Sequence, residues 1–139
     1  MSEANKALIK RWFKEVWDEG RVETIDELLL PTAKAHGLAD GKPVQQGKKE
    51  FKEFHAKLRS ALPDIRVEIE DAIAEGDRVA VRCKVTGTHK GCSLGCEATH
   101  KAVEFTGITI VRIENGKIVE GWNEYDFLRL YSELGIVKK

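Results

Sequence analysis

Apolar positions in the first sixty residues recur every three to four places. Leu8, Trp12 and Val16, with Ile9, Phe13 and Trp17 beside them and Lys and Glu between, predict an amphipathic helix over 4–18 that Gly20 stops. Val22, Ile25, Leu28, Leu29 and Leu30 predict a shorter helix over 22–30, ended by Pro31. A short strand carrying His36 is expected at 33–38, and Ala39-Asp40-Gly41-Lys42-Pro43 reads as a turn. Phe51, Phe54, His55, Leu58 and Leu62 then mark one side of a third helix over 47–61, broken by Pro63-Asp64.

Beyond Ile65 the pattern changes to alternation. Four strands are predicted: Ile65 to Ala74, Arg78 to His89, Val103 to Ile113, and Lys117 to Tyr125. Glu75-Gly76-Asp77 separates the first two, and Glu114-Asn115-Gly116 is an Asn-Gly hairpin signal between the last two. Residues 127–134 suit a terminal helix stopped by Gly135. Helices followed by long antiparallel strands give an α+β order. Strands of this length curl, and helices on their concave side would leave a cone with a pocket inside.

Composition narrows the class. The 139 residues suit one domain spanning 1–139, with 42% hydrophobic and 33% charged residues. Lys+Arg and Asp+Glu each number 23, so the net charge is zero, which argues against a nucleic-acid partner and leaves self-association electrostatically open. No apolar run is long enough for a membrane span, and the N-terminus lacks a signal-peptide core, so a cytoplasmic protein is expected. Cys83, Cys92 and Cys96 are expected as free thiols.

Candidate chemistry concentrates at the end of the last strand. Simple alternation puts Trp122, Glu124 and Asp126 on one face. If that face lines a pocket, burial beside Trp122 would raise the Asp126 pKa and suit it to general acid/base work. If it is wet, Asp126 caps the following helix. Arg82 is a candidate enolate or carboxylate holder, or else one half of a cross-strand ion pair. His36 is a candidate proton relay, or a hydrogen-bonded structural residue. His55 is a weaker candidate of the same kind. His89 would rim the pocket or stabilise a turn. Trp17, Phe13 and Phe54, with Trp12 and Phe51, would pack the core or wall a cavity for a flat ligand. His89, Cys92, Cys96 and His100 share one loop, but the tight Cys-x2-Cys knuckle typical of zinc sites is missing, and no metal is expected.

Several stretches resemble the SnoaL-like polyketide cyclase family, within the nuclear transport factor 2-like superfamily. They are Gly76-Asp77-Arg78-Val79-Ala80-Val81-Arg82 with Gly87-Thr88-His89 and Gly91; Phe105-Thr106-Gly107-Ile108 leading to Arg112-Ile113; Gly116-Lys117-Ile118-Val119-Glu120-Gly121-Trp122 with Asp126; Leu134-Gly135; and Phe54 with Ala61-Leu62-Pro63-Asp64. The resemblance covers roughly 5–137 and implies a cone of curved antiparallel sheet closed by helices, often dimeric through the sheet. It implies Asp126 as the general acid/base of an aldol-type cyclisation or isomerisation on a small apolar carbonyl compound, without metal or cofactor. A non-catalytic ligand-binding or dimerisation module is the alternative. An epoxide hydrolase ranks lower, because no acid stands beside Arg82-Cys83-Lys84. Two positions depart from the family pattern. Ala98-Thr99-His100-Lys101 stands where the family usually has a proline-threonine-glycine loop, and Gly121 replaces a frequent histidine.

Overall fold

The computed structural model describes residues 2–38, 44–94 and 97–135. The turn expected at 39–43, Cys96 and the Lys138-Lys139 tail lie outside them. The chain runs α1 (Ser2–Trp12), a π-helical segment (Phe13–Asp18), α2 (Val22–Leu28), β1 (Leu29–His36), β2 (Val44–Gln46), α3 (Gly47–Ala61), β3 (Arg66–Glu75), β4 (Arg78–Thr88), β5 (Ala102–Glu114), β6 (Lys117–Tyr125) and α4 (Phe127–Glu133). The six strands form one sheet in the order β2-β1-β6-β5-β4-β3.

This is the expected curved α+β cone, with one pairing that alternation could not show: β1 lies parallel to β6, while every other neighbour is antiparallel. Residues α1 to α3 contribute, above all Ile9, Trp12, Val16, Phe51, Phe54 and Leu58, bury against Val79, Val81, Val85, Phe105 and Val111 of the sheet. The helices thus cover one face of the sheet, and among the described residues no helix covers the other.

Two elements differ from expectation. The second helix stops at Leu28, and Pro31 sits inside a strand. Proline disfavours helix at the residue before it and pulls the chain into extended conformation. Its missing N–H costs no ladder bond here, because the β1–β6 register breaks between Leu29 and Lys34. The first helix widens at Phe13 into a π-helix. The loosened carbonyls find partners on α3: His55 Nε2–H donates to Val16 O at 2.6 Å, and Arg59 donates to Trp17 O at 2.8 Å.

The hairpin signal gives the expected turn. Asn115 and Gly116 both take positive φ, 51° and 74°, as a type I′ turn requires.

Candidate functional site

Between the helices and the inner sheet face lies a cavity with about 80 Å³ of room for the centre of a water-sized sphere. Its wall is aromatic: Trp12, Phe13 and Trp17 from the first helix, Phe51 and Phe54 from α3, Phe105 and Tyr125 from the sheet, and Phe127 from α4. These rings brace one another edge to face. Trp17 meets Phe54 at 6.0 Å and 76°, and Phe105 meets Tyr125 at 6.5 Å and 79°. The π-helix turns both Phe13 and Trp17 inward.

Polar groups reach the wall at one place. Thr109 on β5 and Asn123 and Tyr125 on β6 form a connected ledge. Thr109 Oγ1 lies 2.9 Å from Asn123 Oδ1 and 2.8 Å from the Tyr125 hydroxyl, and Asn123 Nδ2–H donates to His36 O at 2.9 Å. Lys34 stands at the rim, and its residue is exposed. Gly107, the cross-strand partner of Tyr125, makes room for the ledge, since a Cβ there would fall 2.3 Å from the tyrosine ring. Burial pushes the Tyr125 phenol far above its ordinary range, so it stays protonated. Gly121 also borders the cavity, and a Cβ there would meet Val111 only at ordinary contact distance.

The structure sorts the predicted residues into two groups. Phe13, Trp17 and Phe54 are buried in the core and border the cavity. Trp122, Glu124, His89, Asp126, Arg82 and His36 do not border it. Trp122 and Glu124 belong to the outer face, where the Trp122 ring stacks on His36 at 5.6 Å and lies under the Arg78 guanidinium at 5.0 Å. Asp126 is exposed and caps α4, its Oδ1 accepting the Arg129 N–H at 2.9 Å. Arg82 is an outer-face cation held by Asp71 at 2.6 Å and Glu70 at 2.9 Å. His36 Nε2 pairs with Glu120 at 2.6 Å, and that bond holds the Glu120 carboxyl below its usual range.

His89 is buried, and its Nδ1 accepts the Thr99 N–H at 3.1 Å. It pins the loop through 97–101 and does not rim the pocket. Its neighbour His100 adopts φ 58°, in the loop where the family pattern carries glycine. Among the described residues, no three His, Cys, Asp or Glu side chains gather closely enough to hold a metal ion.

The corrected face has a local cause. Ile118 points inward, and strict alternation from it would carry Trp122 and Glu124 inward too. The β5–β6 pairing slips between Ile113–Ile118 and Arg112–Glu120, which inserts one extra residue into β6. After this bulge the inward set becomes Gly121, Asn123 and Tyr125. The signal available beforehand was on β5, where Phe105, Thr109 and Val111 fix the inner face to which β6 must match.

The sequence profile of the SnoaL-like polyketide cyclases matches residues 7–134. No curated protein matches the chain in sequence. Among solved structures, a protein from Jannaschia sp. CCS1 assigned as a SnoaL-like polyketide cyclase superposes with a TM-score of 0.88 at 22% identity, over 99% of this chain and 95% of its own. A protein from Bacillus cereus ATCC 10987 assigned as a polyketide cyclase is 31% identical, with a TM-score of 0.81 over 97% of this chain and 83% of its own. AclR of Streptomyces galilaeus, assigned as a hydroxylase, is 25% identical, with a TM-score of 0.86 over 100% of this chain and 89% of its own. With the profile spanning nearly the whole cone, cavity and sheet together, the chain belongs to the SnoaL-like polyketide cyclase family.

Proposed function

We propose that the protein is a cyclase- or isomerase-type enzyme that binds a small, flat, mostly apolar carbonyl compound in the aromatic cavity. The observation that carries this reading is the wall itself, aromatic and aliphatic side chains around a connected polar ledge of Thr109, Asn123 and Tyr125, with Lys34 at the rim. Such a site excludes water and holds a flexible chain in one folded conformation. Bringing a carbon nucleophile and a carbonyl to near contact is itself a large part of the barrier to ring closure.

An Asp126 general base would fit this chemistry, but its carboxylate could reach the cavity only by releasing the Arg129 N–H. It is one residue from cavity-lining Tyr125 and Phe127, so the movement needed is local. A second reading, a non-catalytic binder of the same ligands, is favoured by one fact: among the described residues, no carboxylate or imidazole belongs to the cavity lining. An epoxide hydrolase has less support, since the carboxylate–arginine cluster of Asp71, Glu70 and Arg82 lies on the outer face.

Deuterium exchange next to the carbonyl of a panel of flat ketones, followed by NMR, separates these readings. Catalysed exchange that Asp126→Asn abolishes supports an enzyme with a mobile base. Binding without exchange at any pH leaves the binder, and no binding of any panel member rejects the cavity as the site.

A further inference from the structure

The polar ledge has a direction, fixed by its fixed end. The His36 carbonyl can only accept, so the Asn123 amide must turn its nitrogen toward it. Asn123 Oδ1 then faces Thr109 and, being an acceptor, takes the Thr109 hydroxyl proton. Thr109 has no second proton to give, so the Tyr125 O–H must donate to Thr109. Every hydroxyl proton of the ledge is therefore used inside the protein.

One donor remains. An amide nitrogen carries two hydrogens, and only one of those on Asn123 goes to His36. Among the described residues, no acceptor takes the other. Asn123 lines the cavity and is partly exposed, which leaves this N–H free for a ligand.

We propose that Asn123 Nδ2–H is the specificity group of the cavity, and that it takes a neutral carbonyl oxygen of the ligand, a ketone, quinone or ester. Thr109 and Tyr125 are positioning residues that lock the plane of that amide. The inference rests on the ligand-binding reading above and names the atom that orients the ligand.

The test uses two flat probes that differ in one group, fluorenone and fluorene. Binding is read from the fluorescence of Trp12 and Trp17, and the fluorenone carbonyl stretch by infrared difference spectroscopy. Fluorenone binds roughly fivefold more tightly than fluorene, the gain of one net hydrogen bond. Its stretch falls below the hexane position. Asn123→Leu removes both differences while fluorene binding persists, and Thr109→Val broadens the carbonyl band by freeing the amide. Should Asn123→Leu not fold, the wild-type infrared shift decides alone. Equal affinities with an unshifted stretch overturn the role of Asn123 and leave the cavity reading standing. Failure of both probes to bind overturns both.

Discussion

At the scale of single residues, Asp126 shows how one side chain can satisfy a local rule and a family expectation at once. Its carboxylate accepts from the residue three positions on, the ordinary geometry of a helix N-cap. Asp126→Ala is expected to lower stability by about 1 kcal/mol, measured by urea unfolding. Asp126→Asn, an equally good cap, should leave stability and fluorenone affinity unchanged. A large stability loss in the Asn variant would mean that the charge itself, through Arg129 or Glu104, does more than cap. Gly107 is the opposite case, a residue whose importance is entirely what it lacks. Only a missing Cβ lets the Tyr125 ring lie across β5 and reach Thr109.

At the scale of elements, the π-helical segment and α3 depend on each other. His55 is buried, donates to Val16 O, and packs against Trp17 with ring centroids 4.9 Å apart. Burial pulls its pKa below the ordinary 6.5, against the smaller upward effect of the Val16 hydrogen bond. Burial lowers His89 in the same direction. For a histidine lowered in the native state, the unfolded chain binds more protons as pH falls through the ordinary value, so stability drops with it. The melting temperature is expected to fall steadily from about pH 7 to pH 5, above the range where carboxylates titrate. In His55→Gln, whose amide can still donate to Val16 O, that slope should be shallower. An unchanged slope would assign the effect to His89 and its loop.

At the scale of the whole molecule, the outer face of the sheet is ordered in rows. Ile73, Ala80, Ile110, Trp122 and His36 stand side by side across five strands. Charged neighbours flank them, Glu75, Arg78, Arg112, Glu120 and Lys34 on one side and Asp71, Arg82 and Glu124 with Ile108 on the other. Ile73 is 69% exposed and Ile108 47%, an unusual placement for isoleucine in a free surface. A second copy of the chain is the occupant we propose for this face, because each charged row contains both signs and the net charge is zero. Light scattering should find a dimer at micromolar concentration, and Ile110→Glu should convert it to monomer without loss of fold. A monomeric wild type would reject the proposal.

What the sequence determined by itself was everything carried by local spacing. Period-3.6 stripes located α3 to the residue, period-2 alternation located β3 to β6 within one or two residues at each end, and Asn115-Gly116 named its turn. The aromatic set of Phe13, Trp17 and Phe54 was legible as the side of the helices that faces the sheet, but spacing alone left open whether it packs solid or walls a cavity. Tertiary structure decided what depends on phase and partner. A single extra residue in β6 reversed the inward set from Trp122 and Glu124 to Asn123 and Tyr125, and no local pattern marks where a ladder slips. Pairing of Leu29 with Ile118 of β6 took Leu29 out of the predicted helix end and into a strand, since parallel partners lie far apart in sequence. The direction of the Thr109–Asn123–Tyr125 ledge was likewise invisible, because it follows from a backbone carbonyl on another strand.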